Sequence, residues 1–384
     1  MSLKAFIHVQ HLLGTGHVVR ASAIGRALAA RGVEVTLATG NRIPQTVETA
    51  GLRIVDLPPV RTVDARFNRF VTPDGREIDD DWRAARRQAT LDAFMSEDFD
   101  LLLTETYPFG RRPFAFELDT LVEAAKSLPR PAFVATSIRD ILVRKQEIHK
   151  EEWMAKRALA SYDRILVHSD PEFVKLEASF PFAKDVDHLV RYTGYVGGAN
   201  APEAPEGLGE DEVIVSCGGG AVGQHLLEAA VDAASLSRRA EDTTWRILAG
   251  HDIADDVMET LLRRAPAHVA VERVRRDFPS LLKRARASVS QAGYNTVLDI
   301  LNAGIPAVFV PFAQIRETEQ QQRAEALAAK GCAVVIPEKT LTPEGLAAAL
   351  DDALALPRNP FQVRLGGAQA SAEILLSDLK ERFS

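Results

Sequence analysis

Short apolar runs alternate with stretches in which apolar side chains recur every three or four positions, from one end of the chain to the other. This is the pattern of strand–helix units built around parallel sheets, and the fold class it predicts is α/β. In the first half it places strands at 5–9, 34–38, 53–57, 101–104, 132–136, 164–168 and 192–195, and helices at 18–31, 44–50 and 81–95, with a polar insertion over 60–81. A second series begins at Glu212, with strands at 213–216, 244–248, 269–271, 287–289, 307–310 and 333–336 separated by helices. A last helix, 371–383, follows the breaker-rich stretch 356–367.

Between the two series, residues 197–211 are rich in Gly, Ala, Pro and acid and carry neither period, so they read as a linker. At 384 residues the chain is also too long for one ordinary core. The expected division is an N-terminal domain over 1–196, the linker 197–211, a C-terminal domain over 212–366, and a final helical segment, 367–384, packing back on the first domain.

Composition narrows the function. A chain that is 46% hydrophobic and 26% charged is an ordinary globular one. Its net charge of -7 argues against nucleic acid as a partner, because phosphate backbones need a basic surface. With only Cys217 and Cys332 there is neither a disulfide framework nor a thiolate metal site, which points to a reducing, cytoplasmic setting. No early run has signal-peptide length and no later one reaches membrane-spanning length. Peripheral membrane contact stays open through Arg61, Arg66, Phe67, Arg69 and Phe70, a basic and aromatic stretch that suits anionic lipid or simply folds on its own domain.

Three small-residue turns carry the candidate chemistry. Strand 5–9 runs into His11-Leu12-Leu13-Gly14-Thr15-Gly16-His17 and then a helix, a turn suited to phosphate or substrate oxygens and equally to a plain tight connection. It lacks the third Gly of the dinucleotide fingerprint and the Lys-Ser/Thr pair of a P-loop. The second series opens likewise, with Gly218, Gly219 and Gly220 after strand 213–216; three successive glycines are entropically costly, which favours close approach to a ligand. The third turn follows strand 287–289: Gln291-Ala292-Gly293-Tyr294-Asn295-Thr296 opens a helix whose first turn can receive a pyrophosphate. Asp299 lies on the same face as Asn295, where a carboxylate accepts from both hydroxyls of a ribose or merely complements the helix dipole. Beyond strand 307–310, Gln320, Gln321 and Gln322 offer amides to sugar hydroxyls or a solvated helix face. Glu105 sits just past the carboxyl end of strand 101–104, the edge where ligands of open α/β sheets gather. Nearby Arg111 and Arg112 suit an anionic acceptor or a solvated loop.

The segment 290–331 resembles the C-terminal domain of glycosyltransferase family 28, and the glycine turns at Gly14-Thr15-Gly16-His17 and Gly218-Gly219-Gly220 fit the same GT-B architecture. The segment 101–112 also resembles predicted glycosyltransferases of this architecture. The resemblance implies two Rossmann-like domains facing each other across a cleft, and a nucleotide-diphosphate sugar, by family habit a UDP-sugar, as donor. It implies that Asp299, where the family often has Glu, holds the ribose, that Tyr294, Asn295 and Thr296 lie at the pyrophosphate, and that Gln320 and Gln321 face the donor sugar. Val274 would meet the base through its backbone, Gly218 to Gly220 would line the cleft, and His17 would lie near the reacting centre. Gln291 departs from the basic residue of a better-known relative, and the acceptor-side segments differ widely. The acceptor therefore stays open: a glycan, a lipid-linked compound or a small molecule.

A hexosyl transfer of this kind, with inversion implied by the resemblance, needs a base for the acceptor hydroxyl. His17 and Glu105 are the two candidates, and either could orient the other. The helix start after Gly293 would stabilise the departing diphosphate, so no metal or other cofactor is expected. Asp98-Phe99-Asp100 formally matches a metal-binding Asp-x-Asp pair but precedes a strand, opposite the ligand edge; Asp79-Asp80-Asp81 reads as a helix start. His149, His168 and His251 have no identifiable partners in the sequence. The alternatives are a nucleotide-sugar 2-epimerase, a non-catalytic nucleotide-sugar-binding protein and, more weakly, a sugar-nucleotide hydrolase.

Overall fold

The computed structural model describes residues 2–12, 15–45, 47–63, 69–197, 201–218, 223–312, 318–358 and 362–383. The chain forms two compact units, Met1–Val196 with Arg364–Ser384, and Gly197–Val363.

The first unit holds a seven-stranded parallel sheet of β1 (Lys4–Val9), β2 (Glu34–Thr39), β3 (Leu52–Asp56), β6 (Leu101–Glu105), β7 (Phe133–Arg139), β8 (Arg164–His168) and β9 (Val190–Tyr192). The spatial order is β3-β2-β1-β6-β7-β8-β9. Strands β1, β6 and β7 are buried on both faces, as the apolar runs Phe6–Ile7 and Leu101–Leu103 require. Helices α1 (Gly16–Ala29), α2 (Asp80–Met95), α3 (Ala115–Ser127) and α4 (Ile148–Ser161) connect the strands. The last helix, α11 (Gly367–Phe383), belongs to this unit. Its Ala368, Ala372, Leu375 and Leu379 share a core with Val18, Ala21, Ile24 and Leu28 of α1. Asp378 also takes a two-pronged ion pair from Arg164 at 2.6 and 2.7 Å.

Two local features differ from the sequence pattern. The described residues of 44–50 are turn and bend rather than helix; Val47 is buried and its amide bonds to Pro44 O at 2.9 Å, closing a single turn that goes no further. The polar insertion folds into a small antiparallel pair, β4 (Arg61–Thr62) with β5 (Phe70–Val71). Of the stretch considered for lipid, Arg66 and Phe67 lie outside the described residues, while Phe70 is buried edge-on against Phe114 and so is not a membrane-facing aromatic. Among the described residues, no helix is long and apolar enough to cross a membrane.

The second unit holds a six-stranded parallel sheet of β10 (Val213–Ser216), β11 (Trp245–Ala249), β12 (Val269–Arg273), β13 (Ala287–Ser290), β14 (Ala307–Phe309) and β15 (Ala333–Val335), in the order β12-β11-β10-β13-β14-β15. Helices α5 (Gln224–Ala233), α6 (Asp255–Arg264), α7 (Phe278–Arg284), α8 (Tyr294–Ala303), α9 (Glu319–Ala329) and α10 (Pro343–Ala353) complete it. The segment expected as a linker is part of this unit: Ser280 donates to Pro202 O at 2.9 Å and Arg284 to Pro205 O at 2.9 Å. Both sheets are thus Rossmann-like, each reversing its strand order once. The reversal falls between β1 and β6 in the first unit and between β10 and β13 in the second. Ligands of such sheets bind outside the carboxyl ends of the strands at that switch point.

Candidate functional site

At the switch point of the first unit, the segment after β1 leads into α1 and β6 ends at Glu105. Gly14 lies outside the described residues. Gly16 is the first residue of α1, and a Cβ there would meet nothing within 4 Å. His17 therefore stands in the first turn of the helix rather than in the loop before it. Its Nδ1 lies 3.0 Å from Glu105 Oε1, so the two candidate bases are partners. The carboxylate is fully enclosed, while the imidazole keeps 18% of its surface open.

Thr106 follows with φ +72°, a left-handed conformation costly for a β-branched residue. That turn brings its hydroxyl to 3.1 Å from Glu105 Oε1 and 3.2 Å from His17 Nδ1. Arg20, one turn along α1, also ion-pairs with Glu105 Oε1. On the other side Ser137 Oγ donates to Glu105 Oε2 at 2.7 Å and lies 2.7 Å from His168 Nε2. His168, for which the sequence suggested no partner, is thus fully engaged, its Nδ1 lying 2.8 Å from Thr193 Oγ1. Arg111 is anchored through Nε on Gln10 O at 2.8 Å, whereas Arg112 lies over the Trp153 ring at 5.4 Å.

The charge states follow. Burial alone would raise the Glu105 carboxyl, but the Arg20 charge and the His17 and Arg20 hydrogen bonds outweigh it and hold the group well below the ordinary carboxylate range. Burial pushes the His17 imidazole down to about 3, against the upward pull of Glu105 and with help from Arg111 and Arg20. Burial does the same to His168, to about 3. At neutral pH both rings are neutral, so His17 is in the form a general base needs.

This has a consequence for stability. A histidine whose folded pKa lies below its unfolded value, 6.5, contributes fully above pH 6.5, and that contribution is lost as pH falls towards the folded value, about 3. Asp299 acts the other way, its folded pKa being raised to about 7, so the useful quantity is a difference. Between pH 7 and 5, wild type is expected to lose about 2 kcal/mol more than His17→Gln in urea titrations. Equal losses would place the His17 ring in open solvent.

In the second unit, β10 ends at Ser216, whose hydroxyl accepts from the Gly218 amide at 3.2 Å. Gly218 adopts φ +80°, while Gly219 and Gly220 lie outside the described residues. Gly223, the N-cap of α5, has φ +105°, and a Cβ there would sit 2.3 Å from Cys217 Cβ and 3.2 Å from Gln291 Nε2. Gln291 is buried against this turn.

Across the switch point, α8 begins at Tyr294 with Gly293 as an extended N-cap, no side-chain cap and no acid in its first turn. Its first amides are open to an anion. The Tyr294 ring is buried in the core, with the Arg323 guanidinium 5.8 Å from its centroid, so Tyr294 can offer the site only its backbone. Asn295 is exposed, Thr296 half-buried, and Asp299 half-buried with no hydrogen-bond partner among the described residues. Burial, with nothing to offset it, raises the Asp299 carboxyl to about 7. The Val274 amide is already spent on Ala249 O at 2.7 Å, which leaves its carbonyl for a base.

On α9, Gln320 Oε1 accepts from the Phe312 amide at 3.1 Å and Gln321 Nε2 bonds Glu325 Oε1 at 2.5 Å. Gln322, whose Nε2 bonds Thr318, keeps its Oε1 buried and without a partner among the described residues, and the same holds for the Ser290 hydroxyl at the end of β13. Arg323, fully buried, donates to Ala292 O at 2.7 Å and so braces the turn before α8. Residues of the acidic runs are structural: Asp100 accepts from the Lys4 amide at 2.8 Å and Asp79 caps α2 through Trp82 N at 2.7 Å.

Residues 213–374 match the glycosyltransferase family 28 C-terminal domain. The UDP-N-acetylglucosamine--N-acetylmuramyl-(pentapeptide) pyrophosphoryl-undecaprenol N-acetylglucosamine transferase of Phenylobacterium zucineum is 27% identical over 96% of this chain and 94% of that protein. The enzyme of the same name from Rhizobium johnstonii is 30% identical over 49% of this chain, and the chain spans about half of its length (52%). Among solved structures, the calicheamicin glycosyltransferase CalG4 aligns with a TM-score of 0.63 at 17% identity over 100% of this chain and 95% of that one. MurG of Acinetobacter baumannii aligns with 0.58 at 14% identity over 99% of each. Residues 213–374 thus carry the pattern of a glycosyltransferase family 28 C-terminal domain, and the chain shares the fold of the solved glycosyltransferases named.

Proposed function

We propose that the protein transfers a hexosyl group from a UDP-sugar to an acceptor hydroxyl, with inversion and without a metal. The observation that carries the donor half is the start of α8: uncapped amides, followed one turn on by the carboxylate of Asp299, which has no hydrogen-bond partner among the described residues. The amides of Tyr294, Asn295 and Thr296 would take the diphosphate, and Asp299 the ribose diol. The Val274 carbonyl would accept from the ring N–H of a uracil, while Gln322 and the amide nitrogen of Gln320 would face the sugar hydroxyls. The resemblance-based choice of Gln321 is less well supported, because its amide is turned to Glu325.

In the transfer step the acceptor oxygen attacks the anomeric carbon while its proton passes to His17 Nε2, the nitrogen not facing Glu105. The bond from that carbon to the diphosphate oxygen breaks, and its electron pair leaves with the diphosphate. Glu105 orients the ring and balances the imidazolium that forms. Curated relatives of this chain act on a lipid-linked pyrophosphoryl-undecaprenol acceptor, which supports a lipid-linked acceptor and contact with a membrane surface. The relatives named are transferases, which does not favour the epimerase or binding-protein alternatives. The test is a thermal-shift panel of UDP, GDP, dTDP and ADP with their sugar conjugates. Stabilisation by UDP and one UDP-sugar is expected, with sugar transfer to a lipid extract giving the opposite anomer. Indifference to every nucleotide would remove the reading.

A further inference from the structure

Glu105 does not face His17 alone. Its Oε1 takes His17 Nδ1 at 3.0 Å, the Thr106 hydroxyl at 3.1 Å and the Arg20 guanidinium, and its Oε2 takes Ser137 at 2.7 Å. Behind Ser137 the chain of contacts continues through His168 to Thr193, all of it buried. The same Arg20 nitrogen that pairs with Glu105 also lies 3.3 Å from His17 Nδ1. The arrangement matters because a lone carboxylate beside an imidazole draws a proton onto the ring, and a ring already protonated accepts nothing from a substrate.

Arg20 changes that balance in two ways. It takes up the carboxylate's charge, and its own charge opposes a proton on the neighbouring ring. Its place on α1, three residues after His17 and on the same face, makes both contacts from one rigid element. We propose that Arg20 is a positioning residue that holds Glu105 ionised and His17 unprotonated, with Ser137 and His168 fixing the second carboxylate oxygen so that the ring presents a bare Nε2. The catalytic meaning of this rests on the reading of His17 as the base. Among the described residues, the charged and titratable groups facing the cluster are Glu105 from β6, Arg111 from the segment after it, Arg139 from β7, His168 from β8 and Arg20 from α1. Of these only Glu105 is anionic.

The test reads the ring itself, by nitrogen-15 NMR of imidazole-labelled protein titrated from about pH 8 to about pH 4.5. In the wild type His17 is expected to remain neutral with the proton on Nδ1 throughout. Arg20→Gln is expected to bring its titration up by at least about two pH units, into the observed range, and Arg20→Lys to restore the neutral ring. Ser137→Ala, which keeps the Arg20–Glu105 pair, is expected to let the second tautomer appear at neutral pH. A wild-type ring titrating near its ordinary value, or the same titration in Arg20→Gln, overturns the proposal. Should Arg20→Gln not fold, an unchanged tautomer in Ser137→Ala overturns it instead. Failure of the transferase reading would show as absent nucleotide binding in the second unit and would leave this measurement intact.

Discussion

Asp299→Ala is expected to lower affinity for UDP at least about a hundredfold at pH 8 while leaving the fold intact. Asp299 makes no hydrogen bond to any described residue, so the unliganded protein loses nothing by its removal and sheds the burial penalty that raises its carboxyl to about 7. The bound form would lose two hydrogen bonds to a charged acceptor, each worth about 1.5–3 kcal/mol, and every 1.4 kcal/mol is a tenfold change. The same carboxyl imposes a pH dependence. A ribose diol donates to the ionised form, so below pH 7 binding must first expel a proton and should weaken by up to about tenfold per pH unit. Calorimetric titrations of wild type at pH 8 and pH 6 should show this loss. A flat profile, or undiminished binding by Asp299→Ala, would place the nucleotide elsewhere.

His17→Ala is expected to reduce the transfer rate by about 10²–10⁴, the usual contribution of a general base, without changing UDP affinity. The ring retains an open edge, and its hydrogen bonds run to a carboxylate that Arg20, Thr106 and Ser137 hold independently. Its loss should therefore leave the cluster standing. Glu105→Gln should behave differently. Removing that charge breaks the buried Arg20–Glu105 ion pair, and breaking such a pair costs about 3–5 kcal/mol. The two variants are separated by measuring single-turnover transfer and urea midpoints together: slow and stable for His17→Ala, slow and destabilised for Glu105→Gln. A His17→Ala enzyme of normal rate would assign the base to another group.

The strands were legible because sheets covered on both faces demand continuous apolar runs, and Leu101–Leu103 or Val213–Val215 have no other use. The turn before α8 was legible for a related reason: β13 ends, small residues follow and a helix starts within a few positions. The turn at 44–50 misled because apolar spacing around Val47 imitates a helix over a segment too short to propagate one. The β4–β5 pair, with two residues per strand, is too short to show alternation. Arg20 escaped notice because a basic residue in an amphipathic helix normally marks the wet face, and only the folded contact with Glu105 shows it buried. Ser137 and His168 did leave a trace. They are buried polar residues near the carboxyl ends of their strands, and the parallel register sets Ser137 directly beside Glu105. The place after β14 pointed to all three adjacent amides and the resemblance to Gln320 and Gln321, but the choice among them depends on which is already bonded within the fold, and among the described residues nothing takes up the Gln322 oxygen.

The measurement that bears most directly on the donor site is a crystal structure of the protein with UDP. The account predicts the ribose hydroxyls within hydrogen-bond distance of the Asp299 carboxylate and the diphosphate on the amides that open α8. A nucleotide bound away from α8, or no nucleotide at saturating concentration, would contradict it.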